Sequence, residues 1–134
     1  MLKPLVATSL SLFLLTGCFT KEPPKCSDDD VKETLQGIYS DLIAKSQNNF
    51  MAMFLQALPK EIDSFSSIRP VAYDEKVKIR TCKADVTFEN NQTASIEYTV
   101  QLNEEENEEF YVELKTDFLE ALVQQSIMQQ MLNK

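Results

Sequence analysis

The feature that most limits how this chain can fold is a set of three alternating segments between residues 76 and 115. In each segment apolar and polar side chains follow one another with a period of two, which is typical of a β-strand with one buried face. The turn sequence Glu89-Asn90-Asn91-Gln92 separates the first segment from the second, and the acidic run at 103–109 separates the second from the third. Because strands joined by short connections pair with their neighbours, the pattern predicts an antiparallel meander with one solvated face.

The predicted inward face of this meander consists of the apolar residues of one parity in each strand: Cys82, Ala84, Val86, Phe88, Ala94, Ile96, Tyr98, Val100, Leu102, Phe110, Val112 and Leu114. Val77 and Ile79 have the opposite parity to Cys82 in the first segment. We therefore expect a bulge or a strong twist near Arg80 and Thr81. A fourth, short edge strand is expected at 68–71, where a proline cannot donate a ladder hydrogen bond.

Helices are expected on both sides of this sheet sequence. Ser27 followed by three aspartates is typical of a helix start, because carboxylates are stabilised at the positive end of the helix dipole. The helix that follows has the apolar stripe Val31, Leu35, Ile38, Leu42 and Ile43. A short second helix is expected in the apolar segment 50–58. A C-terminal helix is expected after Asp117, with the buried stripe Leu119, Leu122, Val123, Ile127 and Met131.

These elements predict an α+β fold, in which an N-terminal helix and a short second helix pack on a curved antiparallel meander of three to four strands, followed by a C-terminal helix. A chain of 134 residues has room for one such domain, which we place at 27–134. A helix on a curved antiparallel meander resembles the cystatin-like and NTF2-like group of small exported domains. The resemblance is architectural, covers about residues 27–117, and implies no activity.

The first eighteen residues determine the predicted cellular compartment. Lys3 precedes an apolar stretch at 5–15, which is about eleven residues long. A membrane-spanning helix needs roughly 20 apolar residues. The stretch is therefore too short to span a bilayer and is typical of a secretory signal peptide at 1–17.

The sequence Leu15-Thr16-Gly17-Cys18 follows the apolar stretch directly and resembles the lipobox of bacterial prolipoproteins. This resemblance implies cleavage before Cys18, acylation of that cysteine with fatty acids such as palmitate, and a lipidated tether at 18–26. Phe19 stands where an aspartate commonly causes inner-membrane retention, which implies an outer-membrane protein facing the periplasm. The mature domain resembles the small uncharacterised lipoproteins of Gram-negative bacteria. The alternative is an ordinary cleaved signal with a chance cysteine.

The lipobox resemblance also bears on the other two cysteines, Cys26 and Cys82. An exported chain folds in an oxidising compartment, where a pair of cysteines is normally bridged. We therefore expect a Cys26–Cys82 disulfide, which would stabilise the fold by about 4 kcal/mol on the chain-entropy account. Two free or redox-active thiols are the alternative.

Composition excludes several classes of function. The chain has no histidine, so there is no Ser-His or Cys-His catalytic pair and no histidine ligand for zinc. Its net charge of -8 argues against nucleic-acid binding, and its two glycines argue against a phosphate-binding loop. The aspartates before the first helix lack the spacing of a calcium-binding EF-hand. The acidic run at 104–109 is typical of a solvated loop, with a calcium or cationic-partner site as the alternative. We expect no cofactor and no metal.

The solvated face of the predicted sheet is the candidate partner-binding surface, and it consists of Glu97, Thr99, Gln101, Tyr111, Glu113 and Lys115. We expect a non-enzymatic binding domain, held to the membrane by lipid, that recognises an envelope protein, with a basic partner suiting the acidic chain. The first alternative is an acidic inhibitor or immunity protein against a basic periplasmic hydrolase or toxin. The second is a hydrolase that uses paired carboxylates, and a third is a purely structural element. The apolar segment 50–58 is an alternative contact surface.

Overall fold

The structure is a computed structural model that describes residues 22–45, 57–103 and 109–132. In these ranges the chain forms two helices and four strands. In chain order they are helix α1 (Asp29–Lys45), strands β1 (Ile62–Asp74), β2 (Ile79–Phe88), β3 (Thr93–Leu102) and β4 (Phe110–Leu114), and helix α2 (Phe118–Leu132). The predicted α+β class, with its N-terminal and C-terminal helices, is confirmed. The signal peptide, Cys18 and residues 50–56 of the expected second helix lie outside the described residues. None of the described helices is both long and apolar enough to cross a membrane.

The four strands form one antiparallel sheet in the order β1-β2-β3-β4, as the short connections predict. The pairing of β2 with β3 runs without a register shift from Ile79 to Thr87. The bulge or strong twist expected near Arg80 and Thr81 does not interrupt β2 itself; the register shift at this position lies in β1, between Pro70 and Ala72, which pair with Cys82 and Thr81. Val77 belongs to the turn before β2. Ile79 is the first residue of β2 and faces outward in a strand whose inward residues begin at Arg80 and Cys82. A regular alternation therefore accounts for both residues.

Strand β1 is much longer than the expected edge strand at 68–71, and it contains the irregularities of the sheet. Its pairing with β2 shifts register at three places, two of which lie between Ile62 and Arg69. Ile62 is buried, and Phe65 and Ile68 pack against the core, so the inward residues here are spaced by three instead of two. Each step of three requires one extra residue to keep the same face inward, which is what a bulge supplies. An edge position tolerates these interruptions because only one neighbour is paired.

The core lies between α1 and the inner face of the sheet. Helix α1 buries Val31, Leu35, Tyr39 and Ile43 at intervals of four residues. Tyr39 was missing from the predicted stripe, whereas Ile38 and Leu42 are only partly buried. Of the predicted inward sheet residues, Cys82, Ala84, Val86, Phe88, Ile96, Tyr98, Val100 and Leu114 are buried, and Ala94, Leu102, Phe110 and Val112 are half-buried near the sheet margins.

The hydroxyl groups of two buried tyrosines, Tyr98 and Tyr39, donate hydrogen bonds to backbone carbonyl oxygens at the edges of this core. The Tyr98 hydroxyl donates to the carbonyl oxygen of Cys26 at 2.8 Å, and the Tyr39 hydroxyl donates to that of Pro59 at 2.5 Å. Burial raises the pKa of Tyr98 to about 12 and also raises the pKa of Tyr39 far above its usual value, with the Glu89 carboxylate adding to the latter. Both groups therefore act as neutral donors that join strand or helix to the segments preceding α1 and β1.

Helix α2 buries part of the face that its sequence predicts: Leu122 is buried, and Leu119 and Val123 pack against the core. Phe118, Leu122 and Ser126 are its buried residues, and the predicted stripe is wrong at Ile127 and Met131, which are 39% and 71% exposed. The Phe118 ring packs on Tyr39 of α1, with ring centroids 6.2 Å apart. The side-chain amide of Gln92, in the turn between β2 and β3, donates to the Ser126 hydroxyl at 3.1 Å. The helix also contacts β3, and its first half packs on the core, whereas Ile127 and Met131 in its second half are exposed.

The predicted disulfide between Cys26 and Cys82 is confirmed, with the two Cα atoms 5.8 Å apart. It joins the residue just before α1 to the inner face of β2. Both cysteines are buried within the core. The bond therefore holds the start of the helix over the centre of the sheet.

Replacing both cysteines, as in Cys26→Ala with Cys82→Ala, should lower the free energy of unfolding by about 4 kcal/mol, because the reduced chain regains the entropy of a 56-residue separation. Urea unfolding of the exported protein under non-reducing conditions measures this change. The unsubstituted protein treated with a reductant is the control and should unfold like the double variant. Equal stability of the oxidised protein and the double variant, or thiols that alkylate before reduction, would contradict the prediction.

Candidate functional site

The outer face of the sheet brings together all six residues predicted to bind a partner. Glu97, Thr99 and Gln101 project from β3, Thr99 pairs with Glu113 of β4, and Gln101 pairs with Tyr111. Lys115 lies one residue beyond β4. Tyr111, Glu113 and Lys115 are exposed, while the three β3 residues are half-buried between their neighbours.

Both described helices contribute their buried side chains to the core on the other side of the sheet. In the described parts of the chain, no element covers Tyr111, whose side chain is 60% exposed. Among the described residues the outer face is therefore open, and the C-terminal helix does not cross it. Helix α2 packs instead against α1 and the turn between β2 and β3.

Glu97 is paired with lysine on this face and is not a free negative charge. The Lys115 ammonium forms an ion pair with the Glu97 carboxylate, and the Lys115 backbone N–H donates to the Glu97 carbonyl oxygen at 3.0 Å. Lys83 lies directly opposite Glu97 on β2. The hydrogen bond from Lys115 lowers the pKa of Glu97, and the same bond raises the pKa of Lys115. The sequence pattern predicted the face but could not predict this pairing.

A cleft of about 240 Å³ lies beside the ion pair and is lined by Lys83, Ser95, Ile96, Glu97, Lys115, Asp117 and Phe118. It contains two carboxylates, those of Glu97 and Asp117, and therefore bears on the hydrolase alternative. A general acid in such a pair needs a raised pKa, whereas the pKa of Glu97 is lowered. The cleft is built for ion pairing more than for proton transfer. Within the described ranges, no three acidic or thiol groups lie close enough together to hold a metal ion.

The other end of the outer face is less charged. Ile79, Gln101 and Tyr111 form one row across β2, β3 and β4. A wider and more open groove of about 720 Å³ continues from this row around the turn between β1 and β2, where Val77 is 52% exposed. Ile79 and Val77 were not among the predicted contact residues. The signal that could have identified them was their parity, which is opposite to that of Cys82 and therefore outward.

A polar cluster around Arg80, which the sequence did not predict, lies where the chain approaches α1. The Arg80 guanidinium donates to the carbonyl oxygens of Pro24 and Pro23 at 3.2 and 3.1 Å and lies 3.5 Å from the Glu22 carboxylate. It also lies over the Tyr73 ring, 5.0 Å from the centroid. Pro23 is buried. The described part of the predicted tether is therefore held against the sheet from Glu22 onward.

Comparisons of the chain with protein-family models, curated proteins and solved structures found no match.

The Glu97–Lys115 pair predicts a specific dependence of stability on pH. The pKa of Glu97 is lower in the folded protein than its ordinary value of 4.5. The contribution of the Glu97 carboxylate to stability is therefore complete above pH 4.5 and is lost as the pH falls through the lowered pKa. Glu97→Gln should remove this part of the acid sensitivity. Unfolding midpoints in urea across the acid range measure it. Glu113→Gln, on the same face, is the control and should keep the dependence of the unsubstituted protein. Identical pH profiles for both variants would contradict the prediction.

Proposed function

We propose that the protein is a lipid-anchored component of the bacterial cell envelope whose domain binds another envelope protein without catalysing a reaction. The observation that carries this proposal is the open outer face of the sheet, on which Tyr111 is exposed while both described helices pack on the other side. Removing water from around the Tyr111 ring costs little free energy, and tyrosine is enriched among the residues that dominate protein interfaces. The lipobox resemblance at Cys18 supports attachment by lipid to the outer membrane, facing the periplasm.

The charge distribution on the face indicates where a partner would bind. Lys83 and Lys115 offset Glu97 at one end, so attraction to a uniformly basic surface would be weak there. The row from Ile79 to Tyr111 at the other end combines apolar area with the neighbouring Glu113 carboxylate. We therefore place the centre of the interface at Tyr111 and Glu113, with the ion pair at its rim.

The runner-up is an acidic inhibitor or immunity protein against a basic hydrolase or toxin. The net charge of -8 favours it, because an acidic chain attracts a basic partner over a distance and speeds their encounter. It would use the same face, so the identity of the captured partner distinguishes the two functions.

The anchor is tested by Cys18→Ser in the full-length protein expressed in a Gram-negative host. The unsubstituted protein should incorporate labelled palmitate and fractionate with membranes, and the variant should do neither, because the acylated sulfur atom is missing. Phe19→Leu serves as a neighbouring control that leaves the lipobox intact. A variant at position 18 that still incorporates label would show that the lipobox interpretation is wrong.

The binding face is tested by crosslinking in intact cells. A photoreactive phenylalanine analogue in place of Tyr111 should give a discrete adduct with one partner, whereas the same analogue in place of Asp41, exposed on α1, should not. Glu113→Lys should reduce the adduct several-fold without changing the melting temperature, since it reverses an exposed charge at the proposed centre of the interface. Adducts of equal yield from positions 41 and 111 would place the binding surface elsewhere.

A further inference from the structure

The Arg80 cluster fixes the position of the described segment that precedes α1. Four contacts converge on one guanidinium: the two proline carbonyls, the Glu22 carboxylate and the Tyr73 ring. The Arg80 side chain is only 15% exposed, so these contacts are partly shielded from water and screened less than surface pairs. The chain is therefore ordered up to Glu22, four residues after the cysteine proposed to carry lipid.

The direction of the chain between Glu22 and Cys26 is also defined. Cys26 is bonded to Cys82 at the middle of β2, and Glu22 contacts Arg80, which is nearer to the start of that strand. From Cys26 back to Glu22, the chain thus runs towards the end of the sheet where β1 turns into β2. Four residues span at most about 14 Å even when fully extended. A lipid on Cys18 must lie within that distance of Glu22.

The turn between β1 and β2 presents Val77 between Lys76 and Lys78 at this end of the sheet, with the exposed residues Asp74 and Glu75 just before them. One oxygen of the Asp74 carboxylate accepts hydrogen bonds from the backbone N–H groups of Lys76 and Val77, at 2.9 and 3.3 Å. Lys78 has a left-handed backbone conformation, with φ of 54°, that closes the turn. Val77 is 52% exposed, and Val71 on β1 is 48% exposed. The turn is thus locally fixed with Val77 outward.

We propose that the β1–β2 turn is a membrane-contact site, at which Val77 enters the headgroup region of the bilayer while Lys76 and Lys78 lie at the lipid phosphates. This inference rests on the lipid anchor proposed above. Long lysine side chains suit the interface because their stems are apolar and their ammonium groups reach the phosphates. A single small apolar side chain binds a bilayer weakly, but the acyl chain on Cys18 keeps it at high local concentration.

The contact is tested with the full-length lipidated protein in vesicles of phosphatidylethanolamine and phosphatidylglycerol that contain a headgroup-labelled nitroxide lipid. A fluorophore is attached at Val77→Cys or, as a matched control, at Asn90→Cys, which is exposed in the turn at the opposite end of the sheet. The nitroxide should quench the fluorophore at position 77 and leave the one at position 90 at background. Equal quenching at the two positions in vesicle-bound protein would overturn the proposal.

Two further variants separate this proposal from the lipid anchor. With the label at position 77, Lys76→Glu and Lys78→Glu together should abolish quenching while the protein stays bound through its lipid. Retained quenching would show that the lysines are not at the phosphates and would contradict the proposal. Loss of vesicle binding for Cys18→Ser tests the anchor alone. If a protein that carries no lipid still shows quenching at position 77, the proposed lipid anchor is wrong and the proposed membrane contact at the β1–β2 turn is supported.

Discussion

The packing of this domain depends on the covalent link between the start of α1 and the centre of the sheet. Cys26 lies just before the helix and Cys82 on the inner face of β2, so their bond sets where α1 begins above the strands. The Tyr98 hydroxyl, on the neighbouring strand, donates to the carbonyl of the same Cys26. Covalent and polar contacts thus meet at one residue. From that point the helix can bury a side chain every four residues, ending with Tyr39 and Ile43 over the far end of the sheet.

The same point also determines the path of the chain before the helix. With Cys26 held on β2, the preceding prolines lie within reach of Arg80, whose guanidinium accommodates their carbonyl oxygens and Glu22. A proline-bearing segment would otherwise be an extended linker without fixed orientation. Here the link to the sheet holds the part of it from Glu22 to Cys26 on a defined path against β2.

Net charge is a poor guide to the character of the candidate site. The chain carries 21 acidic residues, yet the outer face combines Glu97 with two lysines, and its most exposed large side chain is an uncharged tyrosine. The lowered pKa of Glu97 follows from its lysine neighbour and describes an ion pair, not a catalytic acid. Surface pairing of this kind contributes little to stability. Its main consequence is that the ion pair occupies one end of the face and leaves the end around Tyr111 and Glu113 for binding.

Several features were determined by the sequence itself. The period of two between Cys82 and Leu114 was enough to predict the order and direction of three strands and the residues on each face, because alternation in a strand assigns every side chain to one side. The cysteine pair was likewise predictable once the third cysteine was assigned to lipid. What only the tertiary structure decided depends on contacts between distant segments. The bulges of β1 arise because its inward residues, spaced by three, must pair with an unbroken β2. The buried face of α2 is selected by contacts with Tyr39 and Gln92. Arg80 acquires its partners only after the disulfide brings them near. Local periodicity carries no information about such neighbours, and they are what orient the domain and shape its open face.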